Sequence, residues 1–262
     1  MKFAVAGGGR VSGSFVARLP GLASALGPVA AQSYRLASRI VNSIGAGQAV
    51  PTYANLNGSP LILICVPPSG VASIVSALAE ALACEGKTIL LCEGGADSRQ
   101  LAQLRSKGAS VGSLQSIPGF DGRRFVAEGD RSAMLEAKRL ITRLGARVEQ
   151  ISSAKIAVYA AGLTFGASLI TPLLEASLQC LLDSGMTKSS AMKVVDGLCQ
   201  NALRGYLYAG KRSWSGPLAA GDQAAARREW EALSTSRPLL ARLYRESASV
   251  AVELLAGSGW TI

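Results

Sequence analysis

The sequence of 262 residues predicts an α/β fold, in which a doubly wound parallel sheet is followed by an all-α C-terminal domain. Three observations carry this prediction. Short apolar runs alternate with helical stretches through the first half of the chain, and the first of these runs ends in three glycines. From about residue 153 the helical periodicity dominates to the end. We therefore expect two domains, residues 1–152 and residues 153–262.

The N-terminal domain is expected to contain strands that are apolar on both faces. The run Leu61-Ile62-Leu63-Ile64-Cys65-Val66 has no polar alternation, which is typical of a strand buried inside a parallel sheet. Strands separated by helices form βαβ units with right-handed crossovers. The predicted strands are Lys2–Ala6, Val29–Tyr34, Leu61–Val66, Thr88–Cys92, Ala109–Leu114, Arg124–Glu128 and Ala146–Ile151. The predicted helices are Arg10–Leu19, Leu36–Ile44, Val71–Cys84, Ser98–Lys107 and Ser132–Leu144.

The C-terminal domain is expected to be helical throughout. The predicted helices are Ala154–Ser184, Lys188–Ala209, Gln223–Thr235 and Pro238–Ala256. The first has few charges between Ile156 and Leu182, and a helix that is apolar on nearly all sides is normally buried all round. We therefore predict that it forms a subunit interface. Asp222 precedes the third helix at the position of an N-cap.

The glycines after the first strand predict a nucleotide site. Gly7-Gly8-Gly9-Arg10-Val11-Ser12-Gly13 has the order strand, glycine turn and helix that a Rossmann-like dinucleotide-binding fingerprint requires. Gly7 would permit the tight turn, Gly9 the close approach of a pyrophosphate, and the helix N-terminus from Arg10 through Val11 and Ser12 would attract the phosphates. Ser12 and Gly13 depart from the strict motif, and an ordinary glycine turn is the alternative.

The end of the second strand favours NADP over NAD. An NAD site places an acidic residue about 20 residues after the glycines. Here the chain reads Gln32-Ser33-Tyr34-Arg35, Arg39 follows one helical turn later, and no Asp or Glu occurs before Glu80. A guanidinium suits the 2′-phosphate of NADP through charge-assisted hydrogen bonds. Ser33, Tyr34, Arg35 and Arg39 are therefore candidate cofactor residues, although the two arginines could simply begin a solvated helix.

Two further strand ends should border the cofactor. Val66 and Pro67 form a loop that would lie across the dinucleotide from the glycine turn, because proline stops a strand. Glu93 follows the apolar run that ends at Cys92, at the same edge of the sheet. It is either a carboxylate near the nicotinamide or the start of a solvated loop.

Composition excludes several classes of function. The chain has no histidine, which removes mechanisms that need an imidazole, and its five cysteines form no C-x-x-C pair. The formal net charge of +10 comes without a run of basic residues interleaved with aromatics, so we expect anionic small molecules rather than nucleic acid. We also expect no membrane partner, because no apolar run approaches the roughly 18 residues of a membrane span. The strand beginning beside Met1 leaves no room for a signal peptide, so we expect a cytoplasmic protein.

One order of motifs runs through nearly the whole chain, from Phe3 to Leu255. The glycine turn is followed by Val66-Pro67, a Ser-Leu-Gln loop at residues 113–115, a long helix containing Tyr159-Ala160-Ala161, and Ser215-Gly216-Pro217 with Gly221-Asp222. This order resembles the Rossmann-like family with a DUF2520 C-terminal domain, often labelled NADP oxidoreductases. The family lies within the 6-phosphogluconate-dehydrogenase-like and pyrroline-carboxylate-reductase-like group. The resemblance implies an NADP-binding domain, a helical dimerisation domain, and an active-site cleft between them.

The departures from the family pattern concern its polar residues. The family commonly has histidines where this chain has Gln115-Ser116 and beside the position of Tyr159, and an asparagine where it has Ala167. Tyr159 could replace a histidine as proton donor if its pKa were lowered, and Gln115 and Ser215 could position a substrate. Tyr159 could equally pack in a domain interface.

The resulting hypothesis is an NADP(H)-dependent oxidoreductase that transfers a hydride to or from a small C=N or C=O substrate. Its catalytic candidates are Tyr159, Gln115 and Ser215, and we expect it to be a homodimer through its C-terminal helices. The alternative is a catalytically inactive NADP-binding sensor or partner protein, because the family's histidines are missing.

Overall fold

The chain divides into two compact units, Met1–Gly162 and Leu163–Ile262. This computed structural model describes residues 2–7, 20–92, 97–120 and 123–256. The predicted division into a cofactor domain and a dimerisation domain after residue 152 stays a prediction. Each unit is described by itself below.

The N-terminal unit is built on one large sheet. Within the described ranges, eight strands pair in the order β3-β2-β1-β4-β5-β6-β7-β8. Every pairing is parallel except the antiparallel pair of β6 and β7. The strands are β1 (Phe3–Gly7), β2 (Leu26–Ala30), β3 (Gln48–Ala49), β4 (Leu61–Cys65), β5 (Thr88–Leu91), β6 (Ser110–Ser116), β7 (Arg124–Gly129) and β8 (Arg147–Gln150). The predicted α/β fold with a doubly wound sheet is therefore confirmed.

Helices cover both faces of this sheet. The described helices of the unit are α1 (Pro20–Ala23), α2 (Tyr34–Ile44), α3 (Val71–Ala81), α4 (Ala102–Ser106) and α5 (Arg131–Thr142), and α6 (Ile156–Gly166) begins in this unit and ends in the next. Helices α2 and α5 pack on the strand residues that include Phe3 and Leu63. Helices α3 and α4 pack on the opposite face, on residues such as Ile62 and Val111. Adjacent residues of one strand thus enter different cores, which explains why the central strands are apolar without interruption.

The boundary between the second strand and the following helix differs from the prediction. Strand β2 ends at Ala30, and Tyr34 is the first residue of α2 rather than the last of a strand. The reason is local, because the Ser33 hydroxyl oxygen accepts a hydrogen bond from the backbone N–H of Leu36 at 3.2 Å and caps the helix. Tyr34 and Arg35 therefore lie in the first turn of α2.

The predicted strand ends at Leu114 and a loop is expected from Gln115, but this prediction is wrong for the first two residues of the loop. Gln115 and Ser116 belong to β6, where they pair with Val126 and Phe125 of β7. The antiparallel partner extends the strand, and the backbone N–H of Ile117 still donates to the carbonyl of Arg124 at 2.9 Å. The periodicity of this one segment could not predict the longer strand, because the added residues are in a strand only through their pairing with β7.

The C-terminal unit is helical, as expected. Its described helices are α7 (Ile170–Asp183), α8 (Lys188–Ala209), α9 (Pro217–Ala220), α10 (Gln223–Ser236) and α11 (Pro238–Ala251), which runs into a π-helical turn at Val252–Ala256. The predicted cap of α10 is confirmed, because the Asp222 carboxylate accepts from the N–H of Ala225 at 2.9 Å. The predicted helix 154–184 is instead two helices, α6 and α7, separated by a turn at residues 167–169.

The segment Ser153–Asp183 bears on two expectations, the absence of an apolar run long enough for a membrane span and the burial of this helix on all sides. It spans 31 residues that are helical apart from the turn at 167–169, its most apolar window has a mean hydropathy of 1.6, and only 6% of that window is buried. Length and composition would let it cross a membrane, so the expectation that no apolar run approaches a membrane span is wrong. Among the described residues, nothing buries this segment on all sides as predicted.

Candidate functional site

The sheet order places the candidate site beside the first strand. Strand β1 lies between β2 and β4, so the chain winds outwards from β1 in both directions. In doubly wound sheets the ligand binds at the carboxyl ends of the strands at this point of reversal. Gly7, the last residue of β1, pairs with Cys65, the last residue of β4. Both strands therefore end at the same level.

A cavity of about 530 Å³ opens at this edge. This volume falls within the roughly 300–1,000 Å³ usual for small-molecule sites. Gly7, Val66 and Pro67, which the sequence predicts as cofactor residues, all line the cavity. The remaining wall comes from the carboxyl side of β2, the connection before β4, and helices α2 and α3: Gln32, Leu36, Tyr53, Ser69, Gly70, Ser73, Ile74 and Ala77.

Helix α2 carries positive charge and lines this cavity through Leu36, but the predicted cofactor residues Ser33, Tyr34, Arg35 and Arg39 are not among the residues that line it. Leu36 lines the wall, and the exposed Arg35 and Arg39 lie on the same helix, one helical turn apart. Neither arginine forms a salt bridge with a carboxylate among the described residues. A cation in the first helical turn lies at the positive end of the helix dipole, where an anion would be more stable. The local potential therefore favours an anionic ligand such as a phosphate.

The other two predicted residues at this end have different settings. Ser33 uses its hydroxyl oxygen to cap α2, so a structural role accounts for it. Tyr34 is 56% exposed beside the cap. Gly9, Arg10, Val11, Ser12 and Glu93 lie outside the described residues, and their assignments to the cofactor stay predictions.

The sequence missed much of the far wall of the cavity. Gly70, Ser73 and Ala77 fall on one face of the turn and helix that follow Pro67, with the spacing of successive helical turns. This row of small residues after a Val-Pro loop was a usable signal for a face that a ligand approaches. Tyr53 had no such signal, because it enters from the irregular connection between β3 and β4. Burial raises the pKa of its phenol.

The two substrate-positioning candidates, Gln115 and Ser215, differ strongly in their exposure to solvent. Gln115 is 5% exposed in β6, as a strand residue of the N-terminal unit. Ser215 is exposed in the C-terminal unit, in the connection between α8 and α9, and is followed by Gly216 with a φ of 95°. Their roles toward a substrate stay predictions.

The setting of Tyr159 differs from the one that the sequence hypothesis required. Its hydroxyl is buried and has no hydrogen-bond partner among residues 2–7, 20–92, 97–120 and 123–256. Burial raises the pKa of this phenol, because the charged phenolate loses its hydration. The condition of a lowered pKa is therefore not met, and Tyr159 is held as a neutral phenol at neutral pH.

A family model matches the later part of the chain. Residues 124–250, which are just under half of the chain, match the family model described as "Domain of unknown function (DUF2520)". The match begins at β7 and extends through α11, and it confirms the resemblance that the motifs predicted. A search of the curated proteins returned no match to this chain.

Solved structures of other proteins share the fold of this chain over nearly its whole length. A Bacteroides fragilis protein provisionally named an NADP oxidoreductase is 14% identical and covers 96% of this chain and 97% of its own, with a TM-score of 0.75. Pyrroline-5-carboxylate reductase from Coxiella burnetii is 17% identical, covers 99% of both chains, and has a TM-score of 0.61. An imine reductase from Myxococcus stipitatus in complex with NADP+ is 12% identical, covers 98% and 93%, and has a TM-score of 0.65. At these identities the comparisons establish the fold.

Proposed function

We propose that this protein is an NADPH-dependent oxidoreductase that acts on a small substrate with a C=N or C=O bond. The observation that carries the proposal is the cavity at the carboxyl ends of β1, β2 and β4, together with Arg35 and Arg39 on the helix that contributes Leu36 to its wall. No acidic residue precedes Glu80, so nothing near the described wall is suited to a ribose 2′-OH in the manner of an NAD site. The fold shared with an imine reductase in complex with NADP+ supports the same assignment.

The residues present fit a nicotinamide dinucleotide. Gly7 has no side chain to obstruct a pyrophosphate that leaves β1, and the Arg35 guanidinium can donate to a 2′-phosphate. Ser69 and Ser73 provide hydroxyl groups on the opposite wall. The bound cofactor would supply the hydride. Reduction of a C=N or C=O bond would transfer this hydride to the substrate carbon and add a proton to its nitrogen or oxygen, leaving NADP+. The placement of the substrate between the two domains stays an inference from the family resemblance.

The reaction is tested by following NADPH absorbance with a panel of cyclic imines, keto acids and aldehydes. We expect oxidation of NADPH with at least one C=N or C=O substrate, and far slower oxidation with NADH. Tight NADPH binding without turnover on the whole panel would favour the alternative function, an inactive NADP-binding sensor or partner protein. The unpartnered phenol of Tyr159 and the absence of histidine are the observations that favour that alternative.

The substitution Tyr159→Phe separates the two roles proposed for this residue. If Tyr159 donates the proton, kcat should fall by about 100-fold, the lower bound for a general acid, while the affinity for NADPH stays unchanged. Because its pKa is raised above the usual value of about 10, the donor form persists through neutral and mildly alkaline pH. The wild-type kcat should therefore show no loss from this group below about pH 10. An unchanged kcat in the Phe variant, with equal or higher thermal stability, would instead assign Tyr159 to packing.

We further propose that the protein is a soluble, cytoplasmic homodimer joined through its C-terminal helices. Segment 153–183 presents large apolar side chains to solvent, with Phe165 67% and Leu173 46% exposed, and α8 adds Leu203 at 61%. A second copy of the chain would bury these apolar side chains, as obligate interfaces do. A second copy is favoured over a lipid bilayer because polar and charged side chains interrupt the segment, among them Glu175.

The double substitution Phe165→Glu/Leu173→Glu tests this interface. Analytical ultracentrifugation should give the wild type twice the mass of one chain and the variant the mass of a single chain. Leu135→Glu is the matched control, because Leu135 is 52% exposed on α5 in the other unit and should leave the dimer intact. A monomeric wild type, or a wild type that sediments only with lipid vesicles, would contradict the proposed homodimer.

A further inference from the structure

Another cavity of the N-terminal unit lies at the edge of the sheet opposite the proposed cofactor site. Its volume is about 250 Å³, and Ala25 on its wall directly precedes β2. The Ala25 carbonyl accepts from the backbone N–H of Phe3, the first residue of β1, at 3.1 Å. This cavity therefore borders the amino ends of β1 and β2, whereas the cofactor cavity borders the carboxyl end of β1 at Gly7. The rest of its wall comes from α1 and from the second half of α5 with the two residues that follow it.

Three charged side chains line this cavity from α5 and its C-terminal end. Glu136, Arg139 and Arg143 are spaced three and then four residues apart, and side chains at these spacings are neighbours along a helix. Leu140 and Leu144 follow Glu136 by four and eight residues and add an apolar strip beside the charges. One helix thus presents a carboxylate, two guanidinium groups and an apolar surface to the same small space.

The Glu136 carboxylate is satisfied on one of its two oxygens. Its Oε1 atom accepts from Nη1 of Arg139 at 2.5 Å. Its Oε2 atom is buried and has no hydrogen-bond partner in the part of the chain that the structure describes. A buried carboxylate oxygen without a donor has lost its hydration and gained nothing in return, which is costly. A ligand that brings an N–H donor to Oε2 would remove this cost.

The charges on the wall also favour an anionic group on the same ligand. Arg139 is engaged by Glu136, whereas Arg143 forms no salt bridge with a carboxylate of residues 2–7, 20–92, 97–120 and 123–256. Two guanidinium groups against one carboxylate leave one positive charge in excess on the wall. An ammonium group therefore suits Glu136, and a carboxylate suits Arg143, because the planar guanidinium matches the geometry of a carboxylate.

We infer that this cavity binds a free α-amino acid with an apolar side chain. The ammonium group donates to Oε2 of Glu136, the carboxylate accepts from the Arg143 guanidinium, and the side chain packs against Leu22 and Leu140. The volume is just below the roughly 300–1,000 Å³ of drug-sized ligands, which suits one amino acid and excludes a dinucleotide. Because the cavity is at the opposite edge of the sheet from the proposed cofactor site, this inference does not depend on the proposed function.

Three ligands that share one side chain test this site by isothermal titration calorimetry of the full chain. L-leucine carries both charged groups, 4-methylpentanoate lacks the ammonium group, and 3-methylbutylamine lacks the carboxylate. We expect saturable binding of L-leucine, and binding of each of the other two that is weaker by about tenfold or more, because each loses a charge-assisted hydrogen bond. Glu136→Gln should weaken L-leucine by about tenfold and leave 4-methylpentanoate unchanged. Arg143→Ala should weaken L-leucine and 4-methylpentanoate and leave 3-methylbutylamine unchanged.

The controls remove the same charges away from the cavity. Glu80→Gln changes an exposed carboxylate on α3, on the other face of the sheet, and Lys138→Ala removes an exposed cation of α5 that is not on the cavity wall. Neither should alter L-leucine binding, and no variant of this set should alter NADPH binding. If Glu136→Gln does not fold, Arg143→Ala decides, because the Arg143 side chain is exposed. No saturable binding of L-leucine, equal affinities for the three ligands, or unchanged L-leucine affinity in both cavity variants would overturn the inference.

Discussion

Replacing Arg35 with alanine should weaken NADPH binding by about 10- to 100-fold and leave NADH binding unchanged. The expected loss corresponds to the roughly 1.5–3 kcal/mol of a charge-assisted hydrogen bond, taken between two partners that are partly exposed to solvent. Only NADPH carries the 2′-phosphate that the guanidinium is proposed to bind. The measurement is a fluorescence titration of both dinucleotides against the wild type and the variant.

The matched control for Arg35 is Arg147→Ala. Arg147 is an exposed arginine on β8, at the opposite edge of the same sheet, so its loss removes the same net charge from the same unit. It should alter NADPH affinity by no more than the small effect of a distant screened charge. Equal losses of NADPH and NADH in Arg35→Ala would contradict the assignment of the 2′-phosphate to this residue. Equal effects of the two arginine variants would contradict it as well.

Gly129→Ala should destabilise the N-terminal unit by about 3 kcal/mol or more. Gly129 ends β7 with a φ of 139°, in a region that residues with a side chain rarely adopt. A Cβ atom at this position would lie 2.5 Å from the carbonyl oxygen of Val111 and would collide with the backbone of Gly112. Because both obstacles are backbone atoms of the paired strand β6, no side-chain rotation can relieve the overlap. The measurement is the midpoint of chemical denaturation, monitored by far-UV circular dichroism.

Gly145→Ala separates the two causes of this loss. Gly145 has a φ of 69°, but a Cβ atom there would meet nothing within 4 Å. Its substitution should therefore cost only the roughly 1 kcal/mol of the left-handed conformation. If Gly129→Ala were no more destabilising than Gly145→Ala, the close approach of β6 and β7 would not exist as described.

The fold could be predicted from the sequence because its strands are buried on both faces. Runs such as Leu61–Cys65 have no polar alternation, and this pattern requires helices on both sides of a sheet. Features that depend on a partner were missed. The extension of β6 to Ser116 is supplied by β7, and the early end of β2 follows from the capping hydrogen bond of Ser33. Neither is encoded in the periodicity of one segment.

The candidate site was predicted in part for the same reason. Gly7, Val66 and Pro67 directly follow or end strands, and strand ends can be located along the chain. Tyr53 and Ser73 line the same cavity from a connection and from a helix face, which topology alone brings to the edge. Glu136 was read only as part of a helix, because the burial of its Oε2 atom is a tertiary property. The raised pKa of Tyr159 likewise depends on its packed surroundings.

The proposed function depends on a dinucleotide site in the N-terminal unit that is specific for the 2′-phosphate. The most direct test is a titration of the wild-type protein with NADPH and, separately, with NADH. We predict saturable binding of NADPH with an affinity at least about tenfold higher than that of NADH, as one charge-assisted contact to the phosphate requires. The absence of NADPH binding, or equal affinities for the two dinucleotides, would contradict the account.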